Sequence, residues 1–340
     1  TELTRKGSDE ALQRDFKAAV QDAYDQGIEA RKQILSRDAK FLDQDGNEII
    51  LSEKIDEVYI MGLTTENYPS LTHQAGIMLR KDENDPFPIF LTLFDLDLVM
   101  HYLSDPYDFL YYVRQRTALM DYFKAEEEVV FLGYHLIRKL WKIPGSDMVA
   151  LDNTYGTMID GNYYPKKLGI DIQNDEDRIA NRWKNPDFEE LCRQIKNIDE
   201  PRITDVLFHL YDFSSDAIDA LVKHIRETKS KVNFDEKRHN FSMPPDYKYR
   251  PRVGVTYVAL NSNSPEKMRN MLVSMSQVRK YKSKGDFWIG FGSFKDSDQM
   301  IDAVYADNST WVFDEAKEAF ANSMLDGVGS GRLVRLGKKV

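Results

Sequence analysis

One cysteine in 340 residues leaves no internal disulfide and no zinc site built on paired cysteines. That residue, Cys192, falls in the helical pattern of Phe188 and Leu191, where a small buried thiol is the expected role. So little cysteine fits a reducing cytoplasm. No apolar run approaches the roughly 20 residues of a membrane helix, and the N-terminus shows no charged-then-apolar leader pattern. No membrane partner is expected. Neither common glycine-rich phosphate loop opens a helix, and no Gly-x-Ser-x-Gly elbow occurs. Internal repeats and low-complexity tracts are missing too, and with them any complete catalytic motif.

What is present is a folding composition. Hydrophobic residues make up 42% and charged residues 30%, the balance of a packed protein rather than a disordered one. The length suits two hydrophobic cores, since single cores stop growing near roughly 250 to 300 residues. The net charge of −10 argues against a uniformly basic coat, but it hides a division. Residues 222–284 hold fifteen Lys/Arg against five Asp/Glu, a local +10 that leaves −20 for the rest.

Within that segment, residues 229–252 interleave Lys237, Arg238, His239, Lys248, Arg250 and Arg252 with Phe234, Phe241, Tyr247 and Tyr249. Pro244, Pro245 and Pro251 predict an irregular loop of some twenty residues, a length that usually serves a function. Cations among aromatics suit phosphate contact with base stacking. A solvated linker between domains is the alternative.

Periodicity predicts a mixed α/β (α+β) fold. Ser8 caps a helix over residues 8–36, with Leu12, Phe16, Ala19, Ala23, Ala30 and Ile34 on its inner face. Residues 39–51 predict a hairpin around Asp43-Gln44-Asp45-Gly46-Asn47. Although that turn resembles the opening of a calcium loop, Ile49 and Ile50 read as strand. Strands follow at 58–61 and 88–94, and Asp95 is placed to cap a helix over 96–103. Helices are expected at 106–122, 125–141, 186–197, 202–211 and 215–228, with a loop rich in Gly, Asp and Tyr between 144 and 167. Residues 253–260, 265–282 and 287–291 form a βαβ unit. The domains are expected as 1–142, a linking region 143–185, and 186–340.

Two features could hold a metal. Asp97 and His101 are four apart on one helix face, a spacing that suits a shared ion and equally a surface hydrogen bond. The acidic runs at 126–128 and 171–177 are better explained as solvated helix starts, where carboxylates favour the positive end of the dipole.

Specific strings resemble a known family. The helix Arg14-Asp15-Phe16-Lys17 through Gln26 to Arg31 resembles the helix that follows the catalytic Glu-x-Lys strand in large bacterial nuclease-related proteins with a restriction-endonuclease-like PD-(D/E)XK core. Val58-Tyr59-Ile60, Leu93-Phe94-Asp95-Leu96 and the string from Asp105 to Arg116 resemble the same proteins in the same order. The likeness covers residues 1–140, and Trp288-Ile289-Gly290-Phe291-Gly292 more weakly.

The resemblance implies that the chain begins with the end of a nuclease core, followed by a helical region and a βαβ-containing domain. It further implies magnesium-dependent phosphodiester hydrolysis in bacterial defence or nucleic-acid turnover, with the Asp and Glu-x-Lys residues expected upstream of Thr1. Gln26 matches the family's helical glutamine, expected near the phosphate or the catalytic lysine, and Lys17 and Arg31 match its basic positions. Residues 332–340 resemble the lead-in to a zinc-binding SEC-C tail, whose ligands are not in this chain. Nucleic acid is therefore the expected partner, with a homo-oligomer or partner protein as a further possibility. The competing reading is a non-catalytic interaction scaffold assembling through its charged surfaces.

Overall fold

The computed structural model describes residues 6–37, 39–51, 55–65, 71–170, 185–200, 202–248 and 250–326. The chain is a mixture of helices and small sheets, of α+β class, and divides into two units, Thr1–Arg182 and Trp183–Val340.

In the first unit Ser8 caps helix α1 (Asp9–Phe16), its Oγ accepting from the Ala11 amide at 3.4 Å. The helix continues through a π-helical turn, Lys17–Gln21, into α2 (Asp22–Ser36). Strands β1 (Phe41–Leu42) and β2 (Glu48–Ile49) form the expected hairpin. Asp43 Oδ1 is spent on the turn, accepting from the Asp45 and Asn47 amides at 2.9 and 2.8 Å.

Strand β3 is Met61–Thr64, beginning at the last residue of the expected 58–61. It runs parallel to β4 (Ile89–Thr92), with α3 (Leu71–Met78) between them. Its register is set by size, because Gly62 lies opposite Phe90 and a Cβ there would meet the Phe90 ring. Alternation then divides the interior. Phe90 joins Phe16, Val20, Tyr24 and Ile28 in one core, while Ile89 and Leu91 enter the larger core of the helices that follow.

Helix α4 (Leu93–Tyr102) starts three residues before the expected position. Thr92 rather than Asp95 is its cap. Thr92 Oγ1 accepts from the Asp95 amide at 3.1 Å and Asp95 Oδ2 accepts from the Thr92 amide at 2.9 Å, a reciprocal capping box. Asp105 caps α5 (Pro106–Ala118), which proline opens. Strand β5 (Phe123–Lys124) leads to α6 (Glu128–Arg138), and β6 (Val149–Ala150) runs parallel to β5.

The region expected as a loop instead holds helix α7 (Thr154–Lys167), which places Ile159 and Tyr163 in the larger core. Its small residues explain both the misreading and the packing. Gly156 lies against Val129 and Val130, and a Cβ at Gly133 would meet the Tyr155 backbone, so α6 and α7 approach closely.

The acidic run at 126–128 is likewise not simply a solvated helix start. Glu128 is 1% and Arg116 2% exposed, joined by two parallel hydrogen bonds of 2.8 Å. Tyr112 donates its hydroxyl to Glu128 Oε1, and the Arg116 guanidinium lies 3.6 Å from the Phe131 ring centre.

The second unit opens with three helices: α8 (Pro186–Lys196), α9 (Ile203–Tyr211) and α10 (Ser215–Asp235). Cys192 is buried in α8. Strands β7 (His239–Met243), β8 (Val253–Leu260), β9 (Phe287–Phe294) and β10 (Ala303–Asp307) form one sheet in the order β10-β9-β8-β7. Helix α11 (Pro265–Ser283) is the crossover between parallel β8 and β9, and the outer pairs are antiparallel. Helix α12 (Glu315–Asp326) follows.

Both faces of this sheet are covered, which accounts for the near-continuous apolar runs of β8 and β9. Val258, Leu260 and Phe294 face Met268, Leu272 and Met275 of α11. On the opposite face Phe241 stacks on Tyr257, and His209 of α9 lies 4.3 Å from the Phe287 ring centre. Trp288 fills the space that Gly254 leaves and donates Nε1–H to Thr256 Oγ1 at 2.9 Å.

The stretch 229–252 is thus not one long loop. Helix α10 runs to Asp235, seven residues past its expected end, anchored by buried Val232, and β7 takes up the middle of the stretch.

Candidate nucleic-acid interface

The residues that the resemblance singled out on the first helix do not converge. Lys17 is exposed and paired with Asp22 Oδ1 at 2.7 Å. Gln26 is also exposed. Arg31 donates Nε–H to the Val58 carbonyl at 3.3 Å, tying α2 to the chain that enters β3. The glutamine held in a fixed pose is Gln21, which donates to the Arg80 carbonyl at 2.8 Å and accepts from the Arg80 amide at 2.9 Å.

Asp97 and His101 share a face of α4, but the carboxylate is already engaged. Tyr163 and Lys167 of α7 both donate to Asp97 Oδ2, Lys167 at 3.0 Å. Those bonds, the one from Tyr163 foremost, hold its pKa below the usual carboxylate range. The His101 ring sits edge-on to Tyr163 at 5.1 Å, and burial lowers its pKa. Among the described residues no three Asp, Glu, His or Cys side chains gather as a metal site would require.

The basic candidates separate into two groups at opposite ends of β7, an edge strand of its sheet. The first is the corner between α10 and β7. Glu236 takes the left-handed conformation there, with φ 59°, a sharp turn that ends the helix. The two acids of the corner are tied down. Asp235 accepts from the Lys237 amide and from His239 Nε2, both at 2.9 Å, and those bonds lower its pKa. Glu236 pairs with Lys295 at 2.7 Å, and its carbonyl accepts from Asn261 at 2.8 Å.

With the acids engaged, the corner presents Phe234, Lys237 and Arg238 outward. Phe234 is 91% exposed. Arg238 reaches back over the flank of α11, Nη1 to Met271 Sδ at 3.4 Å.

The second group follows the far end of β7. Tyr247 is 63% exposed and Lys248 is exposed beside it. Arg250 and Arg252 both engage Asp286, at 3.0 and 2.8 Å, and the Arg252 amide donates to Asp286 Oδ2 at 2.8 Å. The Arg252 side-chain bond, the largest influence, pulls the Asp286 pKa well below the usual carboxylate range. Arg252 is mostly buried by this clamp, whereas Arg250 stays largely exposed. The clamp fastens the loop after β7 to the start of β9, so Arg252 is structural while Arg250 retains a solvent-facing guanidinium.

Tyr249 and the runs at 171–177 and 332–340 lie outside the described residues. Among those residues no helix is long and apolar enough to cross a membrane. In comparisons with protein-family models, curated proteins and solved structures, nothing matches the chain.

Proposed function

We propose that this chain belongs to a nucleic-acid-processing protein and that its second unit contacts the nucleic acid along β7. The carrying observation is the α10–β7 corner: an almost fully exposed phenylalanine beside two outward cations, on a turn whose own acids are engaged. An exposed aromatic face accepts a stacked base, and neighbouring cations neutralise the phosphates that flank it. Tyr247 and Lys248 repeat the combination at the other end of the strand.

In this reading the chain is the accessory and supporting part of a magnesium-dependent nuclease, whose restriction-endonuclease-like core the family resemblance implies. Lys17, Gln26 and Arg31 would support that core from outside its centre.

Fluorescence anisotropy with a labelled oligonucleotide tests the proposal. Affinity should fall steeply as salt rises, and Lys237→Ala with Arg238→Ala and Lys248→Ala should flatten the slope by roughly 0.7 per lost phosphate contact on a single strand. Binding that ignores salt, or no binding by the unaltered chain, defeats the reading. A charge-assembled scaffold would instead show a salt-dependent particle size without oligonucleotide affinity.

A further inference from the structure

Two aromatic rings of the second unit are left outside its core by the local structure that carries them. The apolar stripe of α10 runs through Ile218, Leu221, Val222, Ile225 and Val232. Phe234 comes two positions after Val232, about 200° round the helix, and so stands off the buried face. Tyr247 follows Pro244 and Pro245, whose rings restrict the backbone, and Asp246 Oδ1 accepts from the Lys248 amide across it at 3.0 Å. A single exposed aromatic is ordinary on a protein surface. Here there are two, each beside exposed cations and each at one end of the same strand.

That strand is an edge. Among the described residues β7 pairs with β8 alone, and from His239 to Met243 it spans about 14 Å at 3.4 Å per step. Helix α10 covers one face of the sheet there, with His224 against Phe241. Arg238 instead rests on Met271 of α11, which packs on the other face. The first basic group therefore straddles the edge. The second lies in the β7–β8 connection, where Lys248 is exposed and Arg250 largely so. Between them Asn240, Phe241 and Ser242 carry no charge.

We propose that the ligand of this face is a single-stranded nucleic acid, drawn along the β7 edge with one base stacked on Phe234 and another on Tyr247. The assignment rests on the nucleic-acid reading above and narrows it to unpaired strands. In a duplex each base face is covered by its neighbour, so a ring can stack only by prising a base step apart. An unpaired strand presents its base faces without that cost. Phenylalanine has no donor or acceptor with which to hold a phosphate, so an exposed Phe234 gains only from stacking. Two cation groups separated by a neutral span also fit one flexible backbone, which can follow an edge, better than the two rigid phosphate rows of a duplex. The span corresponds to about four base steps at 3.4 Å.

The test is fluorescence anisotropy on the full chain at fixed salt. Probes are a labelled single strand, its blunt duplex, an abasic strand of equal length and a series of shorter single strands. The single strand should bind more than about tenfold tighter than the duplex, and the abasic strand should lose most of that margin. Affinity should climb with length until about five nucleotides reach both rings, and more slowly beyond. Phe234→Ala and Tyr247→Ala should each weaken single-strand binding about five- to hundredfold, the range of one lost base stack. Neither should change the salt slope, because no phosphate contact is lost. Phe234→Trp should keep the affinity and Phe234→Leu should not. All four variants should melt with the unaltered chain, since both rings lie outside the core.

Duplex binding as tight as single-strand binding overturns the assignment and leaves the nucleic-acid reading standing. An abasic strand that binds like the natural one does the same. Unchanged binding by either alanine variant overturns the stacking of a base on that ring, and with it the path along β7. If neither the single strand nor the duplex binds the unaltered chain, the assignment and the nucleic-acid reading both fall. A melting temperature lowered by more than about 4 °C in Phe234→Ala or Tyr247→Ala marks the ring as structural and counts against the proposal.

Discussion

Glu128→Gln keeps the shape of the buried side chain and removes its charge, which leaves Arg116 as an isolated cation in the larger core of the first unit. Both groups are almost fully withdrawn from water, and each would lose several kcal/mol of hydration if unpaired. The native arrangement offsets that loss with two 2.8 Å charge-assisted bonds, the Tyr112 hydroxyl and the Phe131 ring face. Breaking such a pair from one side costs about 3–5 kcal/mol, or on the order of 10 °C in the melting of a unit this size. Arg116→Met should cost a similar amount by stranding the carboxylate. The double variant Arg116→Met/Glu128→Gln should recover much of the loss, giving a coupling of about 2 kcal/mol or more in a double-mutant cycle. Urea and thermal unfolding followed by circular dichroism measure each corner of the cycle, analysed by transition because the chain has two units. A Glu128→Gln variant within about 0.5 kcal/mol of the unaltered chain, the range of a surface substitution, would refute the burial argument.

Two further outcomes follow from side chains that leave no slack. Burial, aided by the nearby Lys139 cation, lowers the His135 pKa from 6.5 to about 3. The unfolded chain takes up a proton below pH 6.5 that the folded chain refuses until about pH 3. Stability is therefore present in full above 6.5 and is lost as pH falls through that window, by about 2 kcal/mol at pH 5. His135→Gln should remove that share, so its urea midpoint should move less than that of the unaltered chain between pH 7 and pH 5; equal losses would refute the shift. In the second unit, Gly254→Ala drives a methyl group into the Trp288 ring and strains the Trp288–Thr256 bond. A loss of about 1–3 kcal/mol, typical of overpacking, should appear in urea unfolding with a changed near-ultraviolet tryptophan signal, and an unchanged midpoint would contradict the packing.

The elements that sequence made legible are those whose signals are local. Ser8 and the turn around Asp43 act through bonds to residues two to four positions away, and the βαβ unit shows in its alternating lengths of apolar strand and helix. What was misread depended on distant partners. Helix α7 reads as loop because Gly156, Gly161 and Pro165 are poor helix formers, yet close packing against α6 makes its small residues an asset. Glu128 looks like a solvated acid until Arg116, twelve residues earlier and on another helix, closes over it. Strand β3 begins where Met61 comes opposite Ile89 of β4, a pairing that no local window contains.

The candidate site follows the same logic, because a count of charges differs from the charge available to a ligand. Residues 222–284 hold fifteen cations, but Arg252 is largely consumed by Asp286, Lys280 by Asp307 and Ser309, and Lys229 by the carbonyls of Ser297 and Gln299. Lys237, Arg238 and Lys248 are exposed, and their grouping with Phe234 and Tyr247 was visible in sequence because they are neighbours along the chain. On the proposed reading, affinity along β7 follows the cations the fold leaves uncompensated rather than the local charge of +10.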